Sequence, residues 1–262
     1  ISGSGGVSMI SSKLMIEGPI TENSTFMVSG RRMYLDLFML AAADDDEVPR
    51  YYFYDLNAKT NLKLSDSDRL FVSGYFGNDV LGAPPSVNDH FDLHWGNRTL
   101  NARWMHIASP SLFTNFSFIY TNYNFQSTFE EESSSSDFFK SISKIEDFML
   151  RGEAEYFPDE DHTIKAGLES VLHTFKAQAT SDLYDIDQLG FRTKNKVRSF
   201  ESALYVQDEW DISEKIATNL GMRFVYFGSG NYFNVEPRLS GTYKLTDKVS
   251  LKGAFAVVNQ NV

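Results

Sequence analysis

The stretch "YYFYDLNAKTNLKLSDSDRLFVSGYFG", residues 51–77, decides the fold. After four aromatics, Leu56, Ala58, Thr60 and Leu62 fall on one parity, and Asp55, Asn57, Lys59 and Asn61 on the other. A polar knot, Ser65-Asp66-Ser67-Asp68, interrupts the alternation, which restarts with Leu70, Val72, Gly74 and Phe76. Strict alternation on both sides of a short polar turn is the signature of a hairpin of two-faced strands.

The same unit recurs outward from this point. Short turn signals lie at 19–24, 108–111, 158–161, 213–215 and 246–248. Each is flanked by alternating segments: Phe148, Leu150, Gly152, Ala154 and Tyr156 oppose Asp147, Arg151, Glu153 and Glu155, and Leu220, Met222 and Phe224 oppose Asn219 and Arg223. Longer polar connections fall near 39–50, 79–90, 124–140, 178–198 and 228–233. Six turns with two flanks each give about 12 strands. Short turns alternating with long loops describe an up-and-down meander with one tight end and one extended end. Residues 33–45 and 137–148 instead carry apolar residues at helical spacing and are expected as short helices near the loop end.

Composition narrows the class. The 262 residues are 15% aromatic and 23% charged, with a formal net charge of −11 and no cysteine. The acidic balance argues against nucleic-acid binding, and the lack of thiols removes disulfides, thiol catalysis and zinc–thiolate sites. Mean hydropathy is −0.30, and no long apolar run offers a transmembrane helix. Alternation averages hydropathy towards zero, so a membrane barrel stays open. The first residues, "ISGSGGVSMISS", show no signal-peptide pattern.

One parity is greasy along its whole length and the other is too polar for a packed core. A sheet with an apolar outside and a wet inside is a transmembrane antiparallel up-and-down β-barrel. Aromatics near the short turns (Tyr156, Phe157, Trp210, Tyr243) and near the long loops (Tyr51, Tyr52, Tyr54, Phe76, Phe227, Phe233) are expected as the two interface girdles. A repeat near 45 residues also suits a β-propeller, but a blade needs four strands per repeat and these repeats hold two. A soluble sandwich would not sort its loops into a short end and a long end.

The segments "GGVSMISSKLMIEGPI" with "FMVSGRRMYLDLF", "ALYVQDEWDISEKIATNLGMRFVYF" and "EPRLSGTYKLTDKVSLKGAFA" carry a resemblance. With residues 51–79 they are similar, in order and spacing over nearly the whole chain, to strands of TonB-dependent outer-membrane receptors of the Bacteroidota kind. The resemblance implies an active importer of a small nutrient (siderophore, vitamin, glycan or peptide) in the Gram-negative outer membrane. It would be gated by an internal plug and driven by the TonB complex through that plug, with a surface lipoprotein as a further implied partner. About 12 strands are roughly half of the 22 expected of a plugged transporter. Residues 1–262 are therefore expected to be the N-terminal half of such a barrel, without plug, TonB box or final strands. The first strand (near 7–17) and the last (near 249–258) are expected to pair with strands beyond them. The alternatives are a complete 12-stranded passive channel or barrel enzyme, and a soluble binding module.

No catalytic constellation and no cofactor site is expected. Five histidines are scattered; His90 and His94 have metal-like spacing but lie in a loop region. Acidic clusters in the long connections, Asp44-Asp45-Asp46-Glu47, Glu130-Glu131-Glu132 and above all Asp182, Asp185 and Asp187, could hold Ca²⁺ or be solvated loop tips. Arg192, Lys194, Lys196 and Arg198 share a parity and suit lipopolysaccharide phosphate, an anionic solute or a solvated strand edge. Arg223, Glu236, Arg238 and Lys252 are expected to face the lumen as plug contacts. The substrate-binding residues cannot be read from the sequence.

Overall fold

The computed structural model describes residues 1–42, 48–84, 90–130, 138–182 and 191–259. They form one antiparallel sheet of thirteen strands in which every strand pairs with its sequence neighbours. The order is β1 (Ser2–Val7), β2 (Ser11–Thr21), β3 (Ser24–Met33), α1 (Leu35–Ala42), β4 (Arg50–Lys63), β5 (Asp68–Gly82), β6 (His90–Ser109), β7 (Leu112–Glu130), β8 (Phe138–Tyr156), β9 (His162–Asp182), β10 (Phe191–Ser213), β11 (Ile216–Phe227), β12 (Tyr232–Thr246) and β13 (Val249–Ala256). All six expected turns are present. The additional strand is β1, whose Ser- and Gly-rich segment has no apolar alternation but pairs from Ser2↔Glu17 to Val7↔Ser12.

The opening hairpin closes in register. Lys63 faces Arg69 and Leu62 faces Leu70, while the amide of Leu64 donates to the carbonyl of Asp68 at 2.9 Å. Ser65 Oγ donates to the Asp68 carboxylate at 2.7 Å and accepts from the Ser67 amide at 3.1 Å, so the turn satisfies its own polar groups. Lys63 Nζ sits 2.6 Å from Asp66, and this bond holds the exposed Asp66 carboxyl below the usual carboxylate range. In a barrel of this architecture the short turns are periplasmic. A cysteine introduced by Asp66→Cys is therefore expected to resist an impermeant thiol reagent on intact cells and to react after the outer membrane is permeabilised. Labelling on intact cells would invert the topology.

Residues paired directly across an antiparallel ladder share a face. Following the register assigns one face throughout. Leu56, Phe76, Leu100, Phe148, Leu172, Leu204, Leu220 and Leu251 point outward, and all lie exposed there except Phe76, which is half-buried. Their neighbours Asn57, Asp147, Asn219 and Lys252 point inward. Among the described residues no helix is long and apolar enough to cross a membrane.

The strand expected near 7–17 is β2, and it pairs with β1 inside the chain, not with a strand beyond it. Two further expectations change. Residues 137–148 are not helical: from Phe138 onward they are the first half of β8, paired on one side with β7 and on the other with β9. Two-sided pairing satisfies their backbone, which overrides a helical apolar spacing. The helix expected at 33–45 is present as α1. The second change concerns the strands at the loop end: β6 to β10 run 19–23 residues and take in much of what read as loop.

Candidate functional site

The inward face changes character along the strands. Towards the turns it is charged. Arg151 on β8 donates to Glu153 (3.0 Å) and to the Tyr205 hydroxyl (3.2 Å), and Tyr205 in turn donates to Glu153. Arg223 on β11 reaches past Tyr205 to Glu169 on β9 at 3.0 Å, and Arg151 lies 4.0 Å from the same carboxylate. Both guanidinium groups sit 6.0 Å from the centre of the Tyr205 ring. That ring lies over Gly167, where a Cβ would stand 2.5 Å from its atoms, so the missing side chain is what admits the tyrosine. One register further, Lys165 bridges Glu155 (3.3 Å) and Glu209 (3.1 Å). The result is a charged lattice across four strands, with the Lys165 bridge as a separate group beside it.

The four expected lumenal residues all lie on this face, and the structure divides them. Arg223 and Glu236 are direct cross-strand neighbours, but Arg223 is bound to Glu169. Glu236 is buried, accepts from the Asn259 amide at 3.0 Å and meets Arg238 at 3.5 Å. Arg238 keeps half of its side chain in solvent. Lys252, opposite Thr242 on the edge strand, is exposed and has no ion pair among the described residues. Sequence spacing missed the lattice itself, because Glu153, Glu169, Tyr205 and Arg223 come from four strands and meet only through register.

A second inward feature is a depression of about 770 Å³ over β1–β6, lined by Glu17, Lys59, Asn61, Phe71, Asn101 and Arg103 among others. The Asn61 and Asn101 side-chain oxygens are buried there without a hydrogen-bond partner. Towards the loop end the charges thin out and rings replace them. Register places Phe53, Asp79, Trp95 and Phe125 in one inward row, and Tyr123, Ile145, Phe175 and Val197 in the next. Tyr51 and Phe227, expected in the girdle, also point inward. Tyr52, Tyr54, Phe76 and Phe233 point outward as girdle residues should, as do Tyr156, Trp210 and Tyr243 at the other end.

Among the described residues no three His, Asp or Glu side chains are grouped to hold a metal. The His90 side chain, Asp44–Asp46, Glu47, Glu131, Glu132, Asp182, Asp185 and Asp187 lie outside the described side chains. His94 is 3.9 Å from Asp92 on the outward face. His106, His162 and His173 each meet a carboxylate (Asp68, Asp208 and Asp147) at 2.8–2.9 Å, the first two outward and the last inward.

Known proteins agree with this geometry. No curated protein sequence matches the chain. Among solved structures, P. aeruginosa FpvA bound to heterologous pyoverdines superposes with a TM-score of 0.75 at 12% identity, over 96% of this chain and 40% of that one. The siderophore receptor PirA from Acinetobacter baumannii gives 0.67 at 16%, over 97% and 41%. The RagAB peptide transporter gives 0.63 at 10%, over 91% and 34%. The chain thus spans well under half the length of the structures it resembles. Residues 36–259 match the family described as "TonB dependent receptor-like, beta-barrel". A greasy-outside, charged-inside meander of thirteen strands, with this match over most of its length, belongs to the TonB-dependent receptor β-barrel family of the Gram-negative outer membrane.

Proposed function

We propose that the chain forms the N-terminal half of the wall of an active importer, which takes up a small nutrient through a plugged barrel when TonB is energised. The observation that carries this reading is the inward face. A passive pore needs only a wetted wall. This wall holds a lattice of charges, from half-buried Glu169 and Arg223 to exposed Arg151, braced across four strands, beside a broad depression lined by Glu17, Lys59 and Arg103 among others. Such a surface suits a folded polar body resting against it, since its accessible charges can then form charge-assisted hydrogen bonds with that body. Within it, Arg238 and Lys252 are the plug contacts, and Arg223 and Glu236 brace the wall.

The open sheet supports the same reading. Among the described residues β1 and β13 are each paired on one side only, and every unpaired amide or carbonyl in hydrocarbon is costly. The edges therefore close on further strands, making a barrel wide enough for a plug. The inward rings at the loop end would line the vestibule where a siderophore, vitamin, glycan or peptide arrives, with a surface lipoprotein as a possible cap.

The test supplies each of those four nutrient classes in turn to cells that depend on the protein. Uptake of one class is expected with TonB and to vanish when TonB is deleted or the proton-motive force is collapsed. Uptake that persists without TonB would make the protein a passive channel.

A further inference from the structure

The outward face of β8–β10 carries a second charged surface, on the lipid side of the wall. From the turns upward this face is mainly apolar as far as a row in direct register, Phe148↔Leu172↔Phe200, each 41–44% exposed. Four residues further along each strand, about 13 Å at strand rise, the same face presents Lys144↔Lys176↔Lys196, again in direct register. Lys194 and Arg198 flank the row on β10, and Lys140 lies beyond it on β8. Lys144, Lys194, Lys196 and Arg198 are exposed. None of the six forms an ion pair among the described residues. The one acidic side chain on the described part of this face above the apolar row is Glu146, which accepts from Tyr120 at 3.5 Å.

Three lysines side by side on neighbouring strands repel one another, since cross-strand neighbours lie about 5 Å apart. The chain as a whole carries a net charge of −11, so this is a local excess against the overall balance. It begins where the apolar band ends, on the lipid-facing parity, at the end bearing the long loops. In a barrel whose long loops are extracellular, that is where the headgroups of the outer leaflet begin. An anion there would relieve the repulsion, and one attached to acyl chains would also cover the Phe148, Leu172 and Phe200 row below.

We propose that Lys144, Lys176 and Lys196 seat a phosphate of an outer-leaflet glycolipid, with its acyl chains lying on Phe148, Leu172 and Phe200. Lysine suits this role as a strongly hydrated point charge that pairs with phosphate without demanding one geometry. The site stands on the outer wall and is independent of what the lumen transports.

Native mass spectrometry of the protein extracted in mild detergent, with added bisphosphoryl lipid A as probe, tests this. The wild type is expected to retain lipid A about tenfold or more better than the triple variant Lys144→Gln/Lys176→Gln/Lys196→Gln. A control variant at the turn end, Lys215→Gln/Lys248→Gln, should retain it like the wild type. Heat-modifiable migration of all three proteins establishes that each barrel is folded. Dephosphorylated lipid A should bind the wild type as weakly as bisphosphoryl lipid A binds the triple variant. Equal retention by wild type and triple variant would overturn the proposal. So would displacement of the lipid by millimolar inorganic phosphate, which would make the row a site for free anions.

Discussion

Leu220→Arg is expected to destabilise the folded barrel in lipid bilayers by about 2–4 kcal/mol, and Asn219→Arg by far less. The two positions are adjacent on β11 and point to opposite faces of the sheet. Leu220 faces Leu239 on one side and Asp208 on the other, and is 43% exposed on the outward face. Asn219 faces Ser240 and Glu209 on the inward face. An arginine at the first position must carry its charge to the lipid face, where its carboxylate neighbour Asp208 is already engaged by His162 at 2.9 Å; at the second it enters water beside Glu209. Urea titration of refolding into lipid vesicles would measure both. Equal effects would mean that the two faces are exchanged.

The second large effect is expected at the lattice. Glu169→Ala should cost about 2 kcal/mol, because it removes a charge-assisted hydrogen bond and leaves a half-buried guanidinium short of a partner. Glu169 is 17% exposed and serves both Arg223 at 3.0 Å and Arg151 at 4.0 Å. Glu209→Ala, at a carboxylate 45% exposed, should cost less than about 1 kcal/mol. In the same titration, a double-mutant cycle of Glu169→Ala with Arg223→Ala should show coupling between the two. Simple additivity would mean that the pair is not formed in the membrane.

The contrast between these sites explains what the sequence could disclose. Leu220 and Asn219 declare their faces through local alternation, and "SDSD" declares its turn through residues that bond to one another. Both signals are complete within a dozen residues. Alternation is enforced only where one face meets lipid, however. Above the apolar band Lys140, Lys144 and Lys196 can stand on the outward parity, so the period fades, and residues 138–148 read as helical. The segment Ser2–Val7 is a strand only because β2 offers it a ladder. The lattice was the least legible part. Arg223 and Glu169 are 54 residues apart in sequence, and they meet through registers that no local pattern encodes. Tyr51 and Phe227 fall on the inward face for a related reason: a ring near a loop suits either an interface belt or a lumenal wall, and only its parity separates the two.

The length of the central strands has a mechanical consequence. β9 and β10 are paired without a break from Ser181↔Phe191 to His162↔Trp210, and β7 and β8 from Glu130↔Phe138 to Leu112↔Tyr156. Strands in such barrels lean by about 35–45° from the axis, so a pull along that axis acts mainly along the strands. Their hydrogen bonds run crosswise to that direction and are loaded together, in shear, rather than one after another as in unzipping. Sliding one strand past its neighbour would require a whole ladder to break at once and would carry apolar side chains to the wrong face. A force sufficient to drag or unfold a body held inside would therefore leave the wall standing.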